Sequence, residues 1–127
     1  MKIYIRSSAC ISPQNTFGNA SALAALTEVV EYNDTRLKAI EPDYKEFVDP
    51  KALRRMSHII KMGLAAALQC LKNGNTEMPG AIITGTAYGC LEDTVTFLTR
   101  IIEQEEEMLQ PTSFIQSTHN TVGSQIA

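Results

Sequence analysis

Cysteine and histidine are scarce in this chain of 127 residues: three cysteines, Cys10, Cys70 and Cys90, and two histidines, His58 and His119. Three is an odd number and no pair has metal-ligand spacing, so a disulfide framework and a metal site are both disfavoured. Free thiols in a reducing cytoplasm are expected. Basic residues are outnumbered as well, 11 Lys and Arg against 14 Asp and Glu, for a net charge of −3. The densest basic cluster, Lys51, Arg54 and Arg55, is too small and too mixed with apolar residues to neutralise a phosphate backbone, which argues against nucleic acid as a partner. Long apolar runs are missing too. The start, MKIYIRSSAC, has no signal-peptide core, and no stretch approaches the roughly 20 apolar residues of a membrane span. There are no repeats and no low-complexity segments. The expectation is a cytoplasmic protein without cofactor or metal.

What is present suits a single domain over residues 1–127. Hydrophobic residues make up 44% and charged residues 20%, a balance that allows a buried core and argues against disorder. Residues 2–11, KIYIRSSACI, alternate apolar and polar side chains and predict a strand closed by Ser12-Pro13. Residues 12–20 are turn-rich. Over SALAALTEVVEY the alanines and leucines favour a helix while Val29, Val30 and Tyr32 favour a strand, and both stay open.

At Asp49 the pattern sharpens. Asp49-Pro50 offers a capping carboxylate followed by proline at the first helical position. Apolar residues then recur at three- and four-residue steps from Leu53 to Leu71, predicting a buried helix over about 50–73, with Gly74 in the left-handed C-terminal position. GAIITGT, without alternation, reads as a strand covered on both faces. Gly85 and Gly89 permit a tight turn into a second helix, whose inner face would carry Leu91, Val95, Leu98, Ile101, Ile102 and Leu109. Strand, helix, strand, helix is an α/β pattern.

Four clusters invite a chemical reading, and each has a plainer one. TGTAYGC sits where phosphate loops sit, but it lacks the glycines of GxGxxG and the GK[ST] of a P-loop, so a packing turn is favoured. Cys90 begins a helix, where a dipole could activate a thiol, yet Glu92 and Asp93 oppose thiolate formation. Glu103, Glu105, Glu106 and Glu107 read as a solvated face. Ser117, His119 and Asn120 are too local for a triad, and Asn120 or Thr121 would cap a helix starting at Val122.

Taken in order, the Ser-Pro turn after the first strand, DPKALRRMSHIIKMGLAAAL, IITGTAYGCLEDT and PTSFIQSTHNTVGSQIA resemble the N-terminal portion of a β-ketoacyl synthase of the thiolase fold. The likeness covers residues 1–11 and about 49–127, and is loose over 15–48. It implies a partial thiolase-like fold, with a central, mostly parallel sheet packed by helices. It also implies a decarboxylating Claisen condensation that joins an acyl group to a malonyl unit on acyl carrier protein. The partners so implied are that carrier, acyl and malonyl thioesters, and a second synthase chain in a homodimer or heterodimer. Such enzymes use a cysteine nucleophile with two histidines, or a histidine and an asparagine, and by motif order these would lie past Ala127. No catalytic residue is therefore assigned within the chain, which is expected to be an inactive fragment of a longer synthase. Phe114 and Ile115 are the candidates for the acyl channel, with a core role as the equal alternative. A non-catalytic partner resembling chain-length factors is the other reading of the parent.

Overall fold

A computed structural model describes residues 2–18, 28–107 and 109–127. Among them stand five α-helices and a short 3-10 turn, and no β-strand. The expected central parallel sheet is thus corrected. Residues 2–11 and 80–86, both read as strands, are irregular. A strand is stabilised by ladder bonds and by neighbours on its faces, and no described segment forms a ladder with either stretch. Ile3, Tyr4 and Ile5 stand in solvent, and Ile83 is 95% exposed. Side chains hold the first segment instead: Ser7 Oγ donates to the Cys70 carbonyl at 2.8 Å, and Asn73 Nδ2 to the Ser8 carbonyl at 3.4 Å. Val29, Val30 and Tyr32 are irregular as well, while residues 21–27 of the same ambiguous stretch lie outside the described residues.

The helix expected over 50–73 exists in two pieces. Helix α1 spans Pro50–Leu53, with Asp49 Oδ1 accepting from the Lys51 N–H at 2.7 Å and proline in the first turn. The N–H groups of Arg55 and Met56 then bond only three residues back, to Ala52 and Leu53, a tightening that lets the chain leave the α-helical path. Ser57, with φ −69° and ψ 167°, restarts it as the first flank of α2, His58–Asn73. Helix α2 buries Ile60, Leu64, Ala65 and Gln69, so the helix expected to be buried is covered along one stripe. At its end Gly74 stays right-handed, with φ −82°, and Asn75 takes the positive φ of 46°. Gly74 has a steric reason instead, because a Cβ there would stand 2.6 Å from Ser7 Oγ.

Helix α3, Leu91–Glu103, packs against α4, Pro111–Ser117, while α5, Thr121–Ile126, packs against α2. The α2–α5 contact is close: a Cβ on Gly63 would meet Val122 Cγ1 at 2.7 Å. The α3–α4 contact uses Phe97 against Phe114, with ring centroids 5.5 Å apart. It also uses Arg100, whose Nη1 donates to Ser113 Oγ at 2.8 Å and Gln110 Oε1 at 3.2 Å. This reverses part of the expected inner face of α3. Leu91, Val95, Leu98 and Ile102 point to solvent, and Thr94, Phe97 and Arg100 face α4. Among the described residues, no helix is long and apolar enough to cross a membrane.

Candidate functional site

The short segment Thr118–Asn120 between α4 and α5 is held by hydroxyls. Ser117 Oγ donates to the Phe114 carbonyl at 2.7 Å, and Thr118 Oγ1 to the Ile115 carbonyl at 3.0 Å. Thr121, buried at 3% exposure, donates to the same Ile115 carbonyl at 2.6 Å. The Ser117 bond serves the Phe114 carbonyl at the helix end, and the Ile115 carbonyl accepts from the Thr118 N–H as well. Ser117 is thereby committed to its own helix, and its hydroxyl is not poised as a nucleophile. Asn120 does flank α5, which begins at Thr121, but its side chain makes no capping bond.

With the turn so fixed, His119 and Asn120 face the glycine turn that precedes α3. A cavity of about 580 Å³ lies between them, walled by residues 84–89, Thr94 and Ser117. Gly89 has φ +60°, and a Cβ there would come within 3.2 Å of His119 Cβ. Both facts explain a glycine at this position, since a left-handed backbone penalises Cβ. Thr94 Oγ1 lies 3.0 Å from the Cys90 carbonyl and 3.1 Å from the Ser117 carbonyl, joining the two sides of the cavity. On its other side, Thr84, Gly85, Thr86 and His119 also border an apolar groove of about 620 Å³ between α2 and α5, lined by Ile59, Val122 and Ile126. His119 therefore stands where a polar space meets an apolar one. Sequence separation of 30 residues or more hid this meeting, and the available signal was the two glycines of the turn.

Cys90 lies beside this cavity, almost fully buried at 1% exposure. Burial pushes its thiol above the ordinary range, and the nearby Asp93 carboxylate adds to the rise. A thiol so placed stays protonated at neutral pH and is a poor nucleophile. Among the described residues, no group of His, Cys, Asp and Glu could hold a metal ion. Glu103, the last residue of α3, and Glu105 to Glu107 beyond it are exposed.

The two acyl-channel candidates fall on different sides of α4. Phe114 turns to Phe97 of α3. Ile115 borders a smaller cleft of about 310 Å³, together with Ala52, Arg55, Met56, Ile60 and Thr121. Gln116 reaches across the mouth of this cleft, its Nε2 donating to the Arg55 carbonyl.

Compared with known protein families, residues 19–127 match the family of the beta-ketoacyl synthase N-terminal domain. The chain belongs to this family. No curated protein and no solved structure matches it. The match takes in residues 19–48, the part of the chain whose likeness to a β-ketoacyl synthase was loose, and leaves out the first segment. Every wall of the cavity at His119 and of the cleft at Ile115 lies inside the matched range. A beta-ketoacyl synthase-like role is thereby supported.

Proposed function

We propose that this domain serves a decarboxylating Claisen condensation between an acyl group and a malonyl unit held on acyl carrier protein, in fatty-acid or polyketide-type synthesis. In that reaction malonyl loses CO2, and the electron pair of the broken C–C bond attacks the acyl thioester carbonyl. A thiolate leaves as the new carbon–carbon bond forms. The part assigned to this chain is to hold the acyl group.

The observation that carries this reading is the cleft beneath Ile115. Its Met56, Ile60 and Ile115 walls suit a methylene chain, for which burial is worth about 0.8 kcal/mol per CH2. Its volume of about 310 Å³ falls at the lower end of ordinary ligand pockets. Arg55 on the same cleft offers a guanidinium fork for a carboxylate or phosphate of the thioester. Phe114 turns to Phe97 and does not line the cleft.

Cys90 is not the nucleophile in either reading of this chain, a condensing enzyme or a non-catalytic partner resembling chain-length factors. A covalent acyl intermediate needs an activated thiol, and Cys90 is buried and held protonated.

One experiment addresses both. The chain is incubated with acyl carrier protein bearing an acyl group with a photoreactive end, and masses are read before and after illumination. No acyl adduct is expected in the dark, and light is expected to attach the chain to peptides containing Met56, Ile60 or Ile115. Acylation of Cys90 in the dark would sink the view that its thiol is inert. Labelling only at residues far from the cleft would sink the acyl-holding role.

A further inference from the structure

Two members of the densest basic cluster in the sequence, Arg54 and Arg55, meet Arg100 of α3 in the fold. The three guanidinium groups border a polar cavity of about 630 Å³ between the α1–α2 connection, α3 and the start of α4. Among the described residues neither Arg54 nor Arg55 forms an ion pair. Arg100 donates to neutral acceptors, Ser113 Oγ and Gln110 Oε1. Asp93 is the carboxylate of the wall, and its Oδ2 is buried without a hydrogen-bond partner. One carboxylate against three guanidiniums leaves an excess of positive charge. Like charges gathered in one cavity repel, and an incoming anion relieves them.

This cavity adjoins the apolar cleft at Ile115. Arg55, Thr112 and Gln116 border both. A chain lying along Met56, Ile60 and Ile115 therefore has the arginines at one end of its path. A methyl terminus there would strip water from guanidinium groups and return no hydrogen bond, which costs free energy. A carboxylate would instead accept from the planar fork of Arg55, with the charges of Arg54 and Arg100 around it. Sites built around an ionised or hydrogen-bonded group discriminate strongly against analogues that lack it. Away from the shared residues, the polar lining of the cleft is Thr121 and Gln125, both neutral, as suits the uncharged thioester.

We propose that the cavity at Arg54, Arg55 and Arg100 is a subsite for a carboxylate at the far end of the acyl group, so that the domain favours half-thioesters of straight-chain dicarboxylic acids over plain acyl groups. This rests on the cleft at Ile115 as the acyl site, and adds the class of acyl group the cleft takes.

Binding is measured with carrier protein loaded in turn with decanoyl, with the half-thioester of decanedioic acid, and with the methyl ester of that half-thioester. The free acid is expected to bind about tenfold more tightly than the other two, the scale of one hydrogen bond to a charged group. Added salt is expected to shrink that preference. In the double variant Arg54→Gln with Arg55→Gln, the advantage of the acid is expected to fall below about threefold. Decanoyl bound saturably with the acid no tighter would overturn the carboxylate subsite alone and leave the acyl-holding role standing. No binding of any of the three would overturn both. An equal loss of all three in the double variant, with the advantage of the acid intact, would show that the arginines serve the carrier rather than the chain end, and would overturn the subsite. Should the double variant fail to fold by circular dichroism, the comparison of acid with methyl ester on the unaltered chain still decides.

Discussion

Gly89 is the residue on which the shape of the polar cavity turns. Its backbone is left-handed and it backs directly onto His119. Alanine there meets both penalties, and about 1–2 kcal/mol for a left-handed non-glycine residue is the expected loss of stability for Gly89→Ala, measured by denaturant unfolding. A loss below about 0.3 kcal/mol would show that the turn relaxes freely and does not define the cavity. Single residues were partly legible from sequence. Asp49 and Pro50 act as their types predict, because capping is a local matter settled within one turn. Gly74 was misread, since its role is to admit Ser7 from a distant segment. Ser117, His119 and Asn120 were read as too local for a triad, with Asn120 or Thr121 as a cap, and the Asn120 side chain makes no capping bond. That two of them face the turn at 84–89 needed three dimensions to see.

At the scale of elements, short-range signals served well and long-range ones did not. Helices α2 and α3 stand where apolar periodicity put them, although the helix read as continuous over 50–73 breaks at Arg54–Ser57. Helix α4 went unread, and its signal was Pro111 in the first turn, a common opening for a helix. The strands read over 2–11 and 80–86 fail for a different reason. Alternation and apolar runs describe a segment that would suit a sheet, while the sheet itself depends on neighbours the pattern does not name. The uncovered face of α3 has the same origin, because periodicity finds a stripe and not what lies against it.

The start of α2 is also pinned by charge. Glu41 Oε1 lies 2.8 Å from His58 Nε2, and the Tyr44 hydroxyl donates to the other oxygen of Glu41. The Tyr44 hydrogen bond, followed by the His58 contact, holds the Glu41 carboxyl below its ordinary value of 4.5, against an opposing effect of burial. A carboxyl with a depressed folded pKa contributes stability above its unfolded pKa and loses it as pH falls through the folded one. Thermal melts are therefore expected to show a destabilising limb beginning near pH 4.5 and steepening below it, and Glu41→Gln is expected to flatten that limb. An identical acid limb in Glu41→Gln would mean that the contact is without consequence.

On the scale of the whole molecule, the described helices enclose little. Among the described residues, Ile60, Leu64, Ala65 and Cys90 are the buried apolar ones, and the surface of 9976 Å² exceeds that of a compact monomer by roughly half. Composition signalled a chain able to build a core, and composition is silent about how much of it closes within one copy. The family was legible from motif order, RRMS before ITGT and HNTVG, and the match over residues 19–127 supports it. The site was legible only as a region: Ile115 borders the cleft, while Phe114, one position away and about 100° around the helix, turns to α3.

The cleft at Ile115 is the proposed place for an acyl thioester, and titration of the chain with acyl-loaded carrier protein tests that role most directly. Saturable binding is expected, weakened about tenfold or more by Ile115→Asp, since a carboxylate in an apolar cleft must be desolvated whenever the acyl chain enters. Phe114→Leu, which leaves the cleft lining intact, is expected to change the affinity less than threefold. Equal affinity of the Ile115→Asp and unaltered chains, or a larger effect at Phe114 than at Ile115, would contradict it.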